Sequence, residues 1–414
     1  MSSPKPESGP HIGEFIAMMA LMTSLVALSI DLMLPALADI GTDLGSPHAN
    51  ANQLVVTMVF AGLAIGQLVY GPLSDSTGRK PAIYLGYTVF GLGSLLTILA
   101  ANFPMMLAGR LLQGLGVAGP RGVSIALIRD RFAGREMARV MSFMMVVFIV
   151  VPIIAPALGQ AILLVAAWRT IFVLLLGIGV VSLIWFGIRQ PETLTPQRRA
   201  PLSVRRMSRA LHEVIRNPTA LGYTLMAGTV AAMLQAYLAS AQQIFQIQYA
   251  LGPLFPLFFA INAALAIGLA SFVNGRLVMR YGMHLPVKMA LFVLCGLTIL
   301  FAGTTLVTNG QPELWMLMAY LIPCFFCMGI LFGNMNALAM EPLGHIAGVG
   351  AAVVSSLSTF VAIALSAVIG QSYNGTTTPL AVGFAVLSLI ALGLMYWVEG
   401  MQHAPTPDSE PMEP

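Results

Sequence analysis

Two charges stand inside stretches of sequence that otherwise hold almost none. Asp31 lies within S-I-D-L-M-L-P-A-L, residues 29–37, and Arg110 opens R-L-L-Q-G-L-G, residues 110–116. If both segments are helices crossing a bilayer, their depth follows from the helical rise. Asp31 lies sixteen residues beyond Phe15, about 24 Å from one surface at ~1.5 Å per residue, in the outer third of a hydrocarbon core about 30 Å thick. Arg110 lies six residues beyond Pro104; entering from the other surface, it reaches about 9 Å, nearly the same level. Burying either charge alone costs at least about 2.5–3.5 kcal/mol on insertion scales, so the two are expected to share a polar cavity, as an ion pair or through water. An aspartate so placed is pulled two ways. A low dielectric favours its neutral form, and a nearby guanidinium favours its charged form. Moving Arg110 closer or farther would switch Asp31 between capturing and releasing a proton, which is the chemistry of proton coupling. The competing account is a static ion pair, or an aspartate close enough to the surface to stay hydrated.

The helix that carries Arg110 has more to offer. Gln113 lies one turn below it, and Arg121 follows eleven residues on, a spacing that returns to within about 20° of the start at ~100° per residue. A polar stripe of this kind faces a water-filled path, although Arg121 could instead snorkel to the inner surface. Gly114, Gly116 and Gly119 lie beside the stripe and let neighbouring backbones approach closely. In V-P-I-I-A-P-A-L-G-Q, Pro152 and Pro156 each remove an intrahelical hydrogen bond and so predict a bend, with Gly159 as a small contact surface beyond it.

Elsewhere polarity is thin. Gln235, Tyr237, Gln242 and Gln243 fall in one apolar run, and Asn334 and Asn336 in another. Gln113, Gln235, Tyr237 and Asn334 therefore join Asp31 as candidate cavity residues. The 26 Met and 21 Phe suit an adaptable apolar cavity, and equally suit packing against lipid and between helices. Cys324 and Cys327 form C-F-F-C inside an apolar run without a second cysteine pair, which reads as small packing side chains. The chain has no HExxH, Walker A loop or dinucleotide fingerprint. No metal, cofactor or enzymatic activity is expected, and ATP-driven pumping has no support.

The elements that must position these residues are membrane spans. The chain is 57% hydrophobic and only 9% charged, with a mean hydropathy of +0.85, where a soluble protein carries roughly 25% charged residues. Twelve apolar runs fall near 14–35, 53–72, 81–101, 104–128, 137–161, 167–188, 218–245, 253–274, 284–307, 312–337, 346–370 and 379–399, each about the ~20 residues a spanning helix needs. They are continuous rather than alternating, which predicts helices and not a barrel. A polar head with one Lys5 precedes the first run and eleven more follow, so a cleaved signal peptide is not expected.

Basic residues orient the spans. The loops after even-numbered spans hold Arg79 and Lys80; Arg129, Arg131, Arg135 and Arg139; Arg189 through Arg216; and Arg276 and Arg280. The loops on the other side hold Asp39, Asp43 and Glu313, with Arg169 the one basic residue near them; Glu341 and His345 mark the exception among the basic loops. The positive-inside rule places both termini and the even loops in the cytoplasm. This asymmetry accounts for the net charge of +4, and no nucleic-acid partner is implied. The organisation expected is a tail over 1–12, a six-helix bundle over 13–188, a basic linker over 189–217, a second six-helix bundle over 218–399 and a tail over 400–414. The linker interleaves Arg198, Arg199, Arg205, Arg206, Arg209 and Arg216 with Leu202, Met207 and Leu211, as suits a helix lying on an anionic leaflet. At an offset of 204 residues, Gly71 and Leu73 map onto Gly275 and Leu277, Gly78 onto Gly282, and Asp31 onto Gln235. That is a parallel repeat of two related halves.

Between the second and third runs lies G-P-L-S-D-S-T-G-R-K, Gly71 to Lys80. It resembles the signature loop between helices 2 and 3 of major facilitator superfamily transporters. Together with I-D-L-M-L-P-A-L, R-L-L-Q-G-L-G, the I-R-D of Ile128–Asp130 and the Pro152–Gly159 run, it makes residues 14–399 resemble the drug:proton antiporters of the bicyclomycin/chloramphenicol-resistance branch. The resemblance implies that Asp31 binds proton and substrate and that Arg110 serves coupling. It implies that Gly71, Asp75, Gly78, Arg79 and Lys80, with Arg129, latch the cytoplasmic side. Pro152, Pro156 and Gly159 match the span 5 antiporter motif, in which Ala155 and Gln160 stand for glycines; Ser76 stands where the loop usually carries a basic residue.

The expectation is thus an all-α integral membrane protein of twelve transmembrane helices, monomeric, in the cell inner membrane. Its partners would be the lipid bilayer, protons and a small amphipathic substrate exported by antiport. The alternative within the same fold is a dedicated metabolite, sugar or siderophore carrier, for which Gln235 and Asn334 could supply hydrogen bonds. A non-transporting membrane receptor or lipid-modifying enzyme is the alternative of another class.

Overall fold

A computed structural model of the chain describes residues 10–402, and no strand occurs among the described residues. The two polar tails foreseen in the sequence lie almost wholly outside that range. The α-helices are α1 (Ile12–Asp31), α2 (Leu37–Asp43), α3 (Leu54–Thr77), α4 (Arg79–Ile98), α5 (Phe103–Arg131), α6 (Gly134–Leu163), α7 (Arg169–Arg189) and α8 (Val204–Arg216), followed by α9 (Pro218–Gln242), α10 (Phe255–Phe259), α11 (Ala266–Tyr281), α12 (His284–Val307), α13 (Leu314–Met340), α14 (Ala347–Gln371) and α15 (Thr378–Gln402). Among the described residues ten stretches are long and apolar enough to cross a membrane, and the longest, Leu314–Gln371, holds both α13 and α14. The chain is a multi-pass membrane protein.

Local sequence sets the helix ends. Asn102 and Asn217 accept the backbone N–H of Met105 and Ala220, with Pro104 and Pro218 in the first turns of α5 and α9, where a missing N–H is harmless. The first span departs from a plain helix. Its α-helical part stops at Asp31, and a 3₁₀ turn, Leu34–Ala36, leads into α2. Pro35 explains the break, because it has no N–H to donate to the Asp31 carbonyl four residues back. Pro152 and Pro156 do not end α6, which runs on through both. Two π-helical segments, Gln243–Gln248 after α9 and Ala260–Leu265 between α10 and α11, have no forewarning in the apolar pattern.

Packing divides the helices by partner. α5 lies against α3 and α4, α1 against α5, α6 and α7, and α4 against α7; α9 lies against α13, α14 and α15, α12 against α13 and α15, and α11 against α13. Contacts between the two sets run mainly along α3 with α14, and from α6 to α10 and the π segment after it. The basic α8 rests on α9 and α14. Glycines set the closest approaches: a Cβ on Gly114 would run into the Val59 carbonyl of α3, and one on Gly116 into the Phe90 backbone of α4. Gly78 and Gly282, 204 residues apart in sequence, end α3 and α11 at φ +113° and +73°, conformations that favour glycine.

These approaches give a paired prediction within one helix. Gly114→Ala forces α3 and α5 apart and is expected to cost about 1–3 kcal/mol, as overpacking does. Gly122→Ala, where a Cβ meets nothing within 4 Å, is expected to be neutral or to stabilise by up to about 1 kcal/mol. Thermal melting of both variants in detergent checks this; equal melting temperatures would contradict the packing described.

Candidate functional site

Arg110 is completely buried in α5, and a guanidinium without water must find acceptors in the protein. Its Nη2 donates to the Ser29 carbonyl at 2.6 Å, Nε to the Val55 carbonyl at 3.1 Å and Nη1 to Gln113 Oε1 at 2.6 Å. The Phe172 ring of α7 lies 5.4 Å from the guanidinium carbon, within cation–π range. Gln113 passes the arrangement on, donating through Nε2 to Ser94 Oγ of α4 at 2.9 Å. Arg110 thus ties α5 to α1, α3 and α7, and Gln113 adds α4.

Asp31 is also buried, with 5% of its surface exposed, but no ion pair joins it to Arg110 among the described residues. The direct pair considered from matching depths is absent for a geometric reason. Arg110 grips α1 at Ser29, and residues two apart on a helix project about 200° from each other, so Asp31 leaves α1 on the far side. There the 3₁₀ turn that follows it, Leu34–Ala36, packs against α9. Contact between Arg110 and Asp31 runs through the α1 backbone.

The other cavity candidates differ in what they do. Gln235 is 7% exposed, and its Oε1 accepts from Ser366 Oγ at 3.4 Å. Tyr237 is fully buried among Phe245, Phe259 and Phe325, with ring centroids 6.3, 5.6 and 4.7 Å away. Asn334 exchanges hydrogen bonds with Asn274 at 2.8 and 3.3 Å and donates to the Ile330 carbonyl at 3.0 Å, so it clamps α13 to α11. Arg121 lies lower on α5, partly buried. Gly159 meets the Leu32 carbonyl, just past the end of α1, so closely that any side chain there would collide; Ala155 is buried.

At the basic end, Arg79 is the hub. Nη1 reaches Asp75 Oδ1 at 2.6 Å and Ser74 Oγ at 2.9 Å, and Nε reaches Asp130 Oδ2 at 2.9 Å. The Glu192 carboxylate accepts the backbone N–H groups of Arg79 and Lys80, each at 3.0 Å, at the start of α4 where a negative charge is favoured. A Cβ on Gly78 would lie 2.6 Å from Glu192 Oε2. Lys80 Nζ donates to the Gly187 carbonyl at 3.1 Å, and the Asp75 carbonyl accepts the Ala200 N–H of the linker at 2.9 Å. Gly71 is exposed, on the α3 side that faces Ala352 of α14. Arg129 is exposed and makes no hydrogen bond or ion pair among the described residues. Its neighbour Asp130 is the one that pairs with Arg79, because consecutive helical residues point about 100° apart. Sequence reasoning missed Glu192 altogether; as an acid just past α7 in an otherwise basic linker, it was the available signal.

At the opposite end the two helix sets are tied by neutral groups. Asn50 Nδ2 donates to the carbonyls of Gln371 at 3.0 Å and Tyr373 at 2.7 Å, and Gln371 Nε2 returns a bond to the Asn50 carbonyl at 3.0 Å. Gln53 Nε2 donates to Gln243 Oε1 at 2.5 Å, and Gln243 Nε2 to Asn50 Oδ1 at 3.0 Å. Gln246 Nε2 donates to Gln160 Oε1 at 3.3 Å, and Tyr373 donates to the Gln243 carbonyl at 3.2 Å. Gln243 and Gln246 both lie on the first π segment. The Arg79 ion pairs stay inside one helix set, whereas this amide cluster joins both.

Comparison with known proteins agrees with this geometry. Residues 19–367 match the family model described as Major Facilitator Superfamily. The MFS-type transporter YdgK of Bacillus subtilis strain 168 is 32% identical over 365 residues, 87% of this chain and 89% of that protein. The bicyclomycin resistance protein homolog of Haemophilus influenzae is 28% identical, covering 93% and 96% of the two chains. The multidrug resistance protein MdtL of Salmonella heidelberg is 27% identical, covering 89% and 91%. The crystal structure of the human organic anion transporter MFSD10 (TETRAN) shares the fold, with TM-score 0.65 at 18% identity over 94% of this chain and 100% of that one.

The amide cluster makes its own prediction. A neutral hydrogen bond contributes about 0.5–1.5 kcal/mol, so Gln53→Leu with Gln243→Leu is expected to shift the balance of open and closed forms at that end by roughly thirtyfold, or about 2 kcal/mol. Spin labels at the exposed Thr42 and Ser372 should then show a longer distance distribution than in the otherwise unchanged chain. An unaltered distribution would show that these amides do not hold the end closed.

Proposed function

The chain belongs to the Major Facilitator Superfamily, and on that footing we propose that it exports small amphipathic compounds across the inner membrane in exchange for entering protons. Twelve crossings in two six-helix bundles, over 13–188 and 218–399, suit the division of helix contacts between α1–α7 and α9–α15. The basic end would face the cytoplasm with both termini, and the amide-tied end the outside. Relatives named for multidrug and bicyclomycin resistance support a drug-like substrate and the antiporter branch. The chain is read as a working monomer in the bilayer.

One observation carries the coupling. Asp31 is a buried carboxylate between the two helix sets, held by no ion pair or hydrogen bond among the described residues. A carboxylate there can take up a proton in one conformation and release it in another without first breaking a salt bridge. Arg110 fixes the α1 backbone two residues away and so sets where Asp31 stands. Alternating access follows if the amide cluster opens when the basic end closes. One proton entering per cycle down one pH unit supplies about 1.4 kcal/mol, enough for roughly a tenfold substrate gradient.

The test uses the purified chain in proteoliposomes under an imposed pH gradient, with lumenal pH followed as antibiotics and dyes are added. Proton movement triggered by a compound class, and lost in a well-folded Asp31→Asn variant, is the expected result. Substrate-driven proton exchange retained in that variant would overturn the role of Asp31. No response of the unaltered chain to any drug would favour a dedicated metabolite carrier.

A further inference from the structure

The internal repeat breaks down in its charges. In the first half Arg79 pairs with Asp75 at the end of α3. At the 204-residue offset Asp75 falls on Met279 and Arg79 on Met283, so the second copy, at the end of α11, has lost both members of that pair. It carries instead two arginines, Arg276 and Arg280, where the first copy has Pro72 and Ser76. Both are exposed, and among the described residues neither makes an ion pair or a hydrogen bond.

Helix geometry says what they are exposed to. α11 packs on α13 through Ala270, which faces Gly329, and through Asn274, which bonds Asn334. Leu269, Phe272, Arg276 and Met279 lie about 140–220° round the helix from Asn274, on the side away from α13. Phe272 is 62% exposed and Met279 89%, and apolar side chains so bare on a stretch long enough to cross a membrane meet acyl chains. Arg276 does not reach out of these surroundings. Its guanidinium carbon lies 4.5 Å from the centre of the Phe272 ring, one turn deeper, and that of Arg280 lies 5.1 Å from the Tyr281 ring. A ring takes the flat face of a guanidinium and leaves its N–H edge in need of an acceptor. The acceptor that lipid supplies together with a neutralising charge is a headgroup phosphate.

We propose that Arg276 and Arg280 form a binding site for an anionic phospholipid in the leaflet at the basic end. Its phosphate meets the two guanidinium edges, and an acyl chain runs along Phe272 and Leu269. Charge decides the lipid class. Two cations four residues apart favour a headgroup with net negative charge, whereas phosphocholine brings a cation of its own. The first copy satisfies its arginine inside the protein; the second leaves the bilayer to do so, and the end of α11 is thereby anchored to lipid. This inference stands apart from the export reading and holds whatever the chain carries.

The three cysteines are all buried, so a fluorophore can be attached selectively to Leu269→Cys, an exposed position about 10 Å deeper than Arg276. The labelled full chain is reconstituted in phosphatidylcholine bilayers with rising fractions of phosphatidylglycerol brominated in its acyl chains. Quenching then reports the preference of the site for one lipid over the other. The expected result is a preference for phosphatidylglycerol of about tenfold or more, falling to about one when Arg276→Gln and Arg280→Gln are combined. Arg205→Gln with Arg209→Gln, on the exposed basic face of α8, should leave the preference unchanged. All four arginines are exposed, so the melting temperatures should be retained. Equal quenching by both lipids in the labelled chain with its arginines intact would overturn the proposal. An equal loss in the α8 variant would do so too, by reducing the effect to overall surface charge. Quenching relieved by inorganic phosphate, but not by chloride at the same ionic strength, would assign the arginines to a free anion and overturn it likewise.

Discussion

A guanidinium shut away from water dictates the arrangement of half this molecule. Arg110 must place its N–H groups on protein acceptors, and the Ser29 and Val55 carbonyls and Gln113 accept them. Ser29 lies in the last turn of α1, where carbonyls lack an intrahelical partner, and Val55 in the first turn of α3; bonding both fixes the distance and rotation of α1 and α3 relative to α5. Gln113 extends the constraint to Ser94, and glycines at 114 and 116 let the backbones come near enough for these bonds to form. Removing the guanidinium would leave buried acceptors unpaired, a larger loss than the bonds themselves contribute.

That constraint has a consequence for Asp31. Because Arg110 is satisfied elsewhere, the Asp31 carboxyl group is buried without a counter-charge. It also stands where α1 ends, at a break that Pro35 imposes. A side chain at the end of a helix can be moved by a modest turn of backbone, without dismantling a continuous helix.

The sequence made depth legible but not azimuth. Counting along α1 and α5 put Asp31 and Arg110 at one level, and nothing in the spacing revealed that Ser29, not Asp31, turns toward the arginine. The same limit applies at the basic end, where I-R-D was singled out with Arg129 as the latch candidate, while Asp130, one residue on, is the member that pairs with Arg79. The loop Gly71–Lys80 was legible because it is polar in an apolar chain and must turn at Gly78. The membrane class followed from the scarcity of charge. The amide cluster was not legible: Asn50, Gln53 and Gln371 come from distant segments, and neutral amides have no periodic pattern to betray a meeting across helices. The π segments were hidden for a similar reason, since one extra residue in a turn leaves an apolar run looking apolar.

The two ends of the molecule are fastened by different chemistry. Arg79, Asp75, Asp130 and Glu192 form a charged knot at one end, while the far end is joined by amides and backbone carbonyls. None of those joining groups changes protonation between mild acid and mild alkali, and none gathers a screening cloud of counter-ions. If that end faces the surroundings, brine has no charge to screen in these bonds, and acid reaches them by way of His48, whose ring accepts the Ala51 N–H in the turn that carries Asn50 and Gln53. Such a closure is blind to the saltiness of what surrounds it.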